Sequence, residues 1–391
     1  MPSSRIERVP YDIQYILFGL LDSWSLKSLS QCSSSLRRVT ASHLWHSVRY
    51  SSLKTRLDPA YTLDNFGVFV QNVSGTFIRR LCLDFGASGL GVDTSSKIAP
   101  VGHNGTAPFS DEIDVTIDEF LGRLTHFARN ITQLEVCSYH RGPQQSSIFR
   151  ALERNPELAP NLMVFVANMN CDARLGKFLR AHKRLHTLHL PVSTCDASTL
   201  DVHLPSLRSI HIRTISQSGI IRGQPIKSLS IDILSQNVRS LERALSFSQK
   251  DSERGVLEHL SIGFHNASSA AICAPDIYAD LVRIPALMCL RRIGIRFSKA
   301  WNGKVDGHVG VADILIPALS PYLEELVWEG SPWWMHEEKL LEEWVGKCFE
   351  AGKAFQKLTL RWDKADGWNQ VQIYERQVLG AQKPWRMIYS A

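Results

Sequence analysis

His189 and His211 stand in the phrases Leu188-His189-Leu190 and Ile210-His211-Ile212. Apolar and polar residues alternate there as on strands, and neighbouring strands would hold the two imidazoles about 5 Å apart. Two imidazoles can begin a metal site. A zinc centre needs further nitrogen, sulfur or oxygen donors, and no third ligand of the right type falls at a dependable position. Two solvated histidines on a binding face is the reading the residues favour, with no metal and no other cofactor. Enzyme signatures also fail. His336-Glu337 lacks the second histidine of a zinc-protease helix, Gly86 to Gly91 lacks the Lys-Ser/Thr of a phosphate loop, and no Gly-x-Ser-x-Gly is present. The chain reads as a binding protein, not an enzyme.

Charged and aromatic residues are the better candidates for recognition. Arg292, Glu325 and Lys357 recur at matching places in three successive apolar phrases, and Arg296, Glu329 and Arg361 recur four residues later. On adjacent strands each acid would lie between two bases. A structural ladder and a charged contact for a target are equally good readings of this pattern. Arg213, Asp232 and His259 join the same polar face. Trp333 and Trp334 follow Gly330-Ser331-Pro332, and adjacent tryptophans on a loop are either partner anchors or loop packing.

These residues are positioned by a repeat. An apolar residue, two others, a second apolar residue, one other and a third apolar residue recur as Ile78-Leu81-Leu83, Ile131-Leu134-Val136, Leu185-Leu188-Leu190, Leu207-Ile210-Ile212 and Ile226-Leu229-Ile231. The phrase continues as Leu257-Leu260-Ile262, Leu290-Ile293-Ile295, Leu323-Leu326-Trp328 and Phe355-Leu358-Leu360, with a weaker copy at Leu162-Phe165-Ala167. Its last two apolar positions alternate as in a strand. Amphipathic stretches lie between phrases: Ile117, Phe120, Leu124 and Phe127; Ile148, Phe149 and Leu152; Val238, Leu241 and Leu245; and, most clearly, Leu340, Leu341, Trp344, Val345, Cys348 and Phe349. Strand followed by helix, repeated, predicts a parallel sheet with right-handed crossovers. The pattern resembles an irregular leucine-rich-repeat solenoid, whose open face would carry Cys82, Glu135, His189, His211, Ser230, Ser261 and Gly294. Short spacings near residues 185 to 226 predict loop returns through 191–199 and 216–225. Residues 85–115, rich in Gly, Ser and Pro, predict a flexible insertion.

The N-terminal stretch from Ile6 to Val48 is built differently. Val9, Ile13, Ile16, Leu17, Leu20 and Leu21 fall three and four apart, which predicts a helix starting near Pro10. Asp22 to Ser25 can break and restart it by side-chain capping. Leu26 and Leu29 then open a second helix, and Leu36 and Val39 lie on a third, with Leu44 and Trp45 closing the unit. So short a set of helices cannot bury this much leucine and isoleucine alone. The Val-Pro opening, the leucine-rich helix, Leu-x-x-Leu and the basic Leu-Arg-Arg turn ending in Leu-Trp resemble an F-box over about a ninth of the chain. Val9 stands where leucine is usual and Asp12 where glutamate is. The resemblance implies a substrate-recognition subunit of an SCF-type ubiquitin ligase. Val9, Pro10, Ile13, Ile16, Leu17, Leu20, Leu26 and Leu29 would engage the Skp-type adaptor, and through it a cullin-RING ligase. The solenoid would hold an unknown protein target. A non-catalytic interaction scaffold outside ubiquitin transfer is the alternative.

The fold class expected is α/β: a three-helix F-box over 1–50, a helical linker over 51–77, a solenoid over 78–362 and a C-terminal cap over 363–391. At 391 residues, with 44% hydrophobic and 21% charged residues, the chain is a folded protein with no run long enough to span a bilayer. Residues 1 to 8 lack the layout of a secretory signal, so a cytoplasmic or nuclear location is expected. The net charge of +6 is spread without a Lys/Arg block, which gives nucleic-acid binding little support. Eight cysteines form no Cys-x-x-Cys pair and read as reduced thiols.

Overall fold

Three short helices open the chain because their capping and apolar residues leave few alternatives. Pro10, extended at φ −52° and ψ 145°, is the N-cap of α1 (Tyr11–Gly19), and its carbonyl accepts the Gln14 N–H at 2.9 Å. Asp22 caps α2 (Ser23–Cys32) by accepting the Ser25 N–H at 2.7 Å. Ser33 caps α3 (Ser34–Leu44) by accepting the Leu36 N–H at 3.1 Å. Phe18, Leu26, Leu36 and Val39 meet in one small core, and Ile6, Leu29 and Leu44 pack against it. The computed structural model describes residues 6, 9–51, 65–68, 77–85, 109–125, 128–137, 143–169, 173–190, 202–213, 220–221, 223–233, 242, 245, 257–264, 274–297, 310–319, 321–330, 337–363, 369–377 and 384–390.

The chain divides into two compact units, Met1–His189 and Leu190–Ala391. The first holds the helix cluster and the strands β1 (Ser47–Ser51), β2 (Arg80–Asp84), β3 (Gln133–Cys137), β4 (Val164–Asn168) and β5 (Thr187–Leu190), which lie in that order with each neighbour parallel. Between strands run α4 (Phe109–Thr125), α5 (Pro143–Arg154) and α6 (Ala173–Ala181). Register aligns Val48, Leu81, Leu134, Phe165 and Leu188 in one inward row, and Leu83, Val136 and Ala167 in the next. Ile117, Phe120, Leu121, Leu124, Phe149, Leu152, Phe178 and Leu179 cover them from the helices.

The second unit continues the same construction with β6 (Ser209–Ile212), β7 (Ser228–Ile233), β8 (His259–Phe264), β9 (Arg292–Phe297), β10 (Glu325–Glu329) and β11 (Lys357–Asp363), all parallel. Its helices are α7 (Ala274–Leu281), α8 (Ile316–Leu319) and α9 (Glu338–Ala351). Ile210, Leu229, Leu260, Ile293, Leu326 and Leu358 form one buried row, and Ile212, Ile231, Ile262, Ile295, Trp328 and Leu360 the next. Phe264, Phe297, Trp328 and Trp344 touch in series, with centroid separations of 5.0, 4.8 and 5.7 Å.

Three expectations need correction: where the strand array begins, the side taken by Leu340 and the extent of the insertion. The strand array begins at β1, not at residue 78, so the proposed linker from residue 51 starts inside a strand. Within 52–77 only a helical turn at 65–68 and the approach to β2 are described. Leu340, placed on the buried stripe of α9, is exposed, while Leu341, Trp344, Val345, Cys348 and Phe349 are buried. The tail assigned as a cap contains two strands, β12 (Asn369–Arg376) and β13 (Trp385–Ser390), antiparallel to β11 and to each other. Arg376 ties them to α9: its guanidinium donates to the carbonyls of Phe349, Gly352 and Phe355 at 2.5, 2.5 and 2.6 Å. Those carbonyls lie at and just beyond the helix end, where cations are favoured. The insertion expected over 85–115 is shorter than that span: Phe85 donates its N–H to the Cys137 carbonyl at 2.9 Å and residues 109–115 belong to α4. Its remainder, 86–108, the loop at 191–199, residues 216–219 and 222 of the expected 216–225 return, Phe127, Val238, Leu241, Trp333 and Trp334 lie outside the described residues.

No helix among the described residues is long and apolar enough to cross a membrane. Leu326, fully buried on β10, tests the inward rows. Leu326→Ala should lower unfolding stability by about 2–5 kcal/mol in urea denaturation, as cavity formation in a close-packed core requires.

Candidate functional site

The helix cluster has two apolar faces and uses one internally. Phe18 on α1 and Leu26 on α2 point into the core, and buried Gln14 donates to the carbonyls of Ile6 and Val9 at 2.9 and 2.8 Å. Ile13, Ile16, Leu17 and Leu20, four of the residues expected at a partner surface, are exposed, Ile16 by 62% and Leu20 by 80%. Tyr11, Tyr15, Leu21 and Trp24 extend that surface, with Trp24 exposed by 76%. Pro10 is exposed and Val9 half-exposed at its edge. Leu26 is a correction: it faces the cluster's own core because α2 packs against α3 there, and Leu29 is half-buried against the same core. Trp24 lies in the first turn of α2, outside the three-four apolar spacing of α1, which carries no signal for it.

The second unit carries a polar face built by register. His211, Ser230, Ser261, Gly294, Val327 and Thr359 align across β6 to β11. On one side run Ser228, His259, Arg292, Glu325 and Lys357, and on the other Asp232, Gly263, Arg296, Glu329 and Arg361. The expected alternation of charge closes into ion pairs. Glu325 lies 3.3 Å from Arg292 and 3.5 Å from Lys357, and Glu329 lies 3.9 Å from Arg296 and 3.1 Å from Arg361. Arg296 also reaches Asp232 at 3.8 Å and donates to the Ser230 hydroxyl at 3.4 Å.

A pocket of about 180 Å³ opens between these rows, and His259, Arg292, Arg296, Glu329 and Arg361 line it with Ser261 and Gly294. Gly294 shapes its floor, since a Cβ there would come within 3.1 Å of the Ser261 hydroxyl. Of the other expected face residues, His211, Arg213 and Asp232 do not line this pocket, and His189 belongs to the first unit. The arrangement suits exchange of ion pairs with a polypeptide: each guanidinium is held in place by an acid that a partner's carboxylate can relieve.

On the first unit's face the register brings together residues the sequence did not connect. One row runs Arg49, Cys82, Glu135, Val166 and His189, and the next Ser51, Asp84, Cys137 and Asn168. Donor atoms of Cys82, Glu135 and Cys137 lie within 4.8 Å of one another and could hold a metal ion. Cys137 donating to Cys82 holds the Cys82 thiol below its ordinary value and, together with burial, pushes Cys137 above it. Burial lowers the pKa of His189 against the opposing pull of Glu135. Cys82 stands at the central position of its repeat phrase and Cys137 one residue past the third apolar position of the next. The 55-residue gap between them hid the pair from any short-spacing motif.

No family model matches the chain, and no curated protein matches it. For the charged rows, Glu329→Gln should remove the acid that Arg296 and Arg361 share while changing unfolding stability by no more than about 1 kcal/mol, because half-exposed pairs contribute little. Urea denaturation of the variant beside the parent protein measures this.

Proposed function

We propose that the protein is a substrate-recognition subunit of an SCF-type ubiquitin ligase, working in the cytoplasm or nucleus. In this reading α1 and α2 dock on a Skp-type adaptor, the repeats grip a target protein, and the adaptor joins both to a cullin-RING ligase. The chain contributes proximity and orientation, and bond chemistry belongs to its partners.

The observation that carries the reading is the division of the helix cluster into two apolar faces. Phe18, Leu26, Leu36 and Val39 satisfy the cluster's own core, yet Ile13, Ile16, Leu17 and Leu20, three and four apart along α1, remain exposed, as does Trp24 on α2. Contiguous exposed apolar surface of this kind marks a protein-interaction site. Its composition fits the F-box resemblance of the same stretch. The pocket between the charged rows, flanked by Arg292, Arg296 and Arg361, is the place offered for the target.

Ile16→Ala combined with Leu20→Ala tests the docking face without touching the internal core. Capture of a purified Skp-type adaptor should weaken at least about tenfold, as expected for loss of two central apolar anchors, while circular dichroism and melting stay unchanged. Undiminished capture would remove this interface. If the parent protein captures no adaptor at all, the interaction-scaffold reading replaces the ligase reading.

A further inference from the structure

Two cysteines from different repeats, separated by 55 residues in the chain, meet on the polar face of the first unit. Cys82 lies beside Glu135 in register on β2 and β3, and Cys137 lies one pleat further along beside Asp84. The Cys137 sulfur is 3.4 Å from Glu135 Oε1, and all three donor atoms fall within 4.8 Å of one another. In a tetrahedral zinc centre with Zn–S near 2.3 Å, adjacent ligand atoms are about 3.5–3.8 Å apart. Side-chain adjustments of a fraction of an ångström to about 1 Å would therefore close the three donors on one ion. We propose that Cys82, Glu135 and Cys137 form a binding site for a single zinc ion, three protein donors that leave a fourth coordination position open.

Three features distinguish this group from thiols that merely fill space. The first is pre-orientation. Asn168 on β4 donates from one amide nitrogen to Glu135 Oε1 at 3.1 Å and to the Cys137 sulfur at 3.4 Å. It fixes two of the three donors as outer hydrogen bonds do for metal ligands. The second is Asp84, a fully buried carboxylate next to Cys137 in register. Arg49 donates to its Oδ2 at 2.5 Å, while its Oδ1 has no hydrogen-bond partner among the described residues. A buried carboxylate oxygen is costly without a partner, and a divalent cation alongside would balance the negative charge gathered here. The third is access: Cys82 and Glu135 are half-exposed, so an ion can enter from the polar face. Two sulfur donors with one carboxylate favour zinc over calcium or magnesium, which take oxygen ligands.

The test uses the full chain, reduced with a phosphine, titrated with Co²⁺ as a spectroscopic probe and then with Zn²⁺ in competition. One Co²⁺ per chain should bind with a thiolate-to-metal charge-transfer absorption, and one equivalent of Zn²⁺ should abolish it. Cys82→Ser and Cys137→Ser should each weaken binding at least about a hundredfold and lower that absorption. Loss of an outer partner alone typically costs about 10–100-fold, so Asp84→Asn and Asn168→Ala should weaken binding about tenfold or more with the absorption kept. Cys32→Ser with Cys289→Ser, which removes the two exposed cysteines among the described residues, should change nothing. The proposal is overturned if no stoichiometric binding occurs, or if binding survives both Cys82→Ser and Cys137→Ser unchanged. Should the serine variants fail to fold, Glu135→Gln decides: weaker binding with the charge-transfer absorption kept supports the site, and unaltered affinity removes it.

Discussion

One hydrogen-bonding device recurs at nine steps of the repeat and fixes what is placed on them. A carbonyl just ahead of a strand accepts two successive N–H groups from the start of the next. In the first unit His46, Arg79, Thr132 and Met163 each do this, receiving residues 79–80, 132–133, 163–164 and 186–187 at 2.8 to 3.0 Å. In the second unit Arg208, Lys227, Glu258, Arg291 and Glu324 do the same for 227–228, 258–259, 291–292, 324–325 and 356–357 at 2.8 to 3.0 Å. A one-residue slip would turn every inward leucine outward. The shared carbonyl prevents it by starting each strand at the same height. Rows of side chains then follow as a consequence. The apolar rows become the core, and the rows between them become faces with defined chemistry.

That constraint explains why so much of the array was legible before any coordinates. The phrase of three apolar residues reports the same step that the carbonyls enforce, so nine phrases and the weak copy at Phe165 and Ala167 coincide with described strands β2 to β11. The order Arg292, Glu325, Lys357 could be read as a row because the strands are parallel and in step. Other elements were hidden for identifiable reasons. Trp45, Val48 and Tyr50 carry the same three-and-two spacing, but the helical reading of the preceding residues absorbed them. Strands β12 and β13 leave the parallel repeat, so its period says nothing about them. The Cys82 and Cys137 cluster depends on which strand lies next to which and on a diagonal offset, neither of which residue spacing contains.

The N-terminal cluster solves a different problem. Three helices of nine to eleven residues are too short to be stable alone, and they are held by caps and a core of four large residues. Apolar periodicity shows that α1 has a greasy stripe, but period alone cannot say which part turns inward. Phe18 and Leu26 divide the stripe: they anchor the bundle and leave Ile13, Ile16, Leu17 and Leu20 to solvent. Leu26 fell on the wrong side of that division because its place is set by contact with α3 and not by its own helix.

The two polar faces follow one rule with opposite outcomes. In the second unit, acids and bases alternate across adjacent strands, so Glu325 and Glu329 each find two cations and the face neutralises itself. Its pairs remain half-exposed, and their exchange with a partner's charges costs little. In the first unit the corresponding rows bring Asp84, Glu135, Cys82 and Cys137 together, and Arg49 pairs with Asp84. Here the guanidinium touches Asp84, a fully buried carboxylate, and Glu135 lies with the two thiols. A surface of the first kind can recognise a polypeptide by trading one ion pair for another. A site of the second kind has a buried carboxylate that meets its guanidinium through one oxygen and leaves the other without a hydrogen-bond partner among the described residues, an arrangement that burial makes costly.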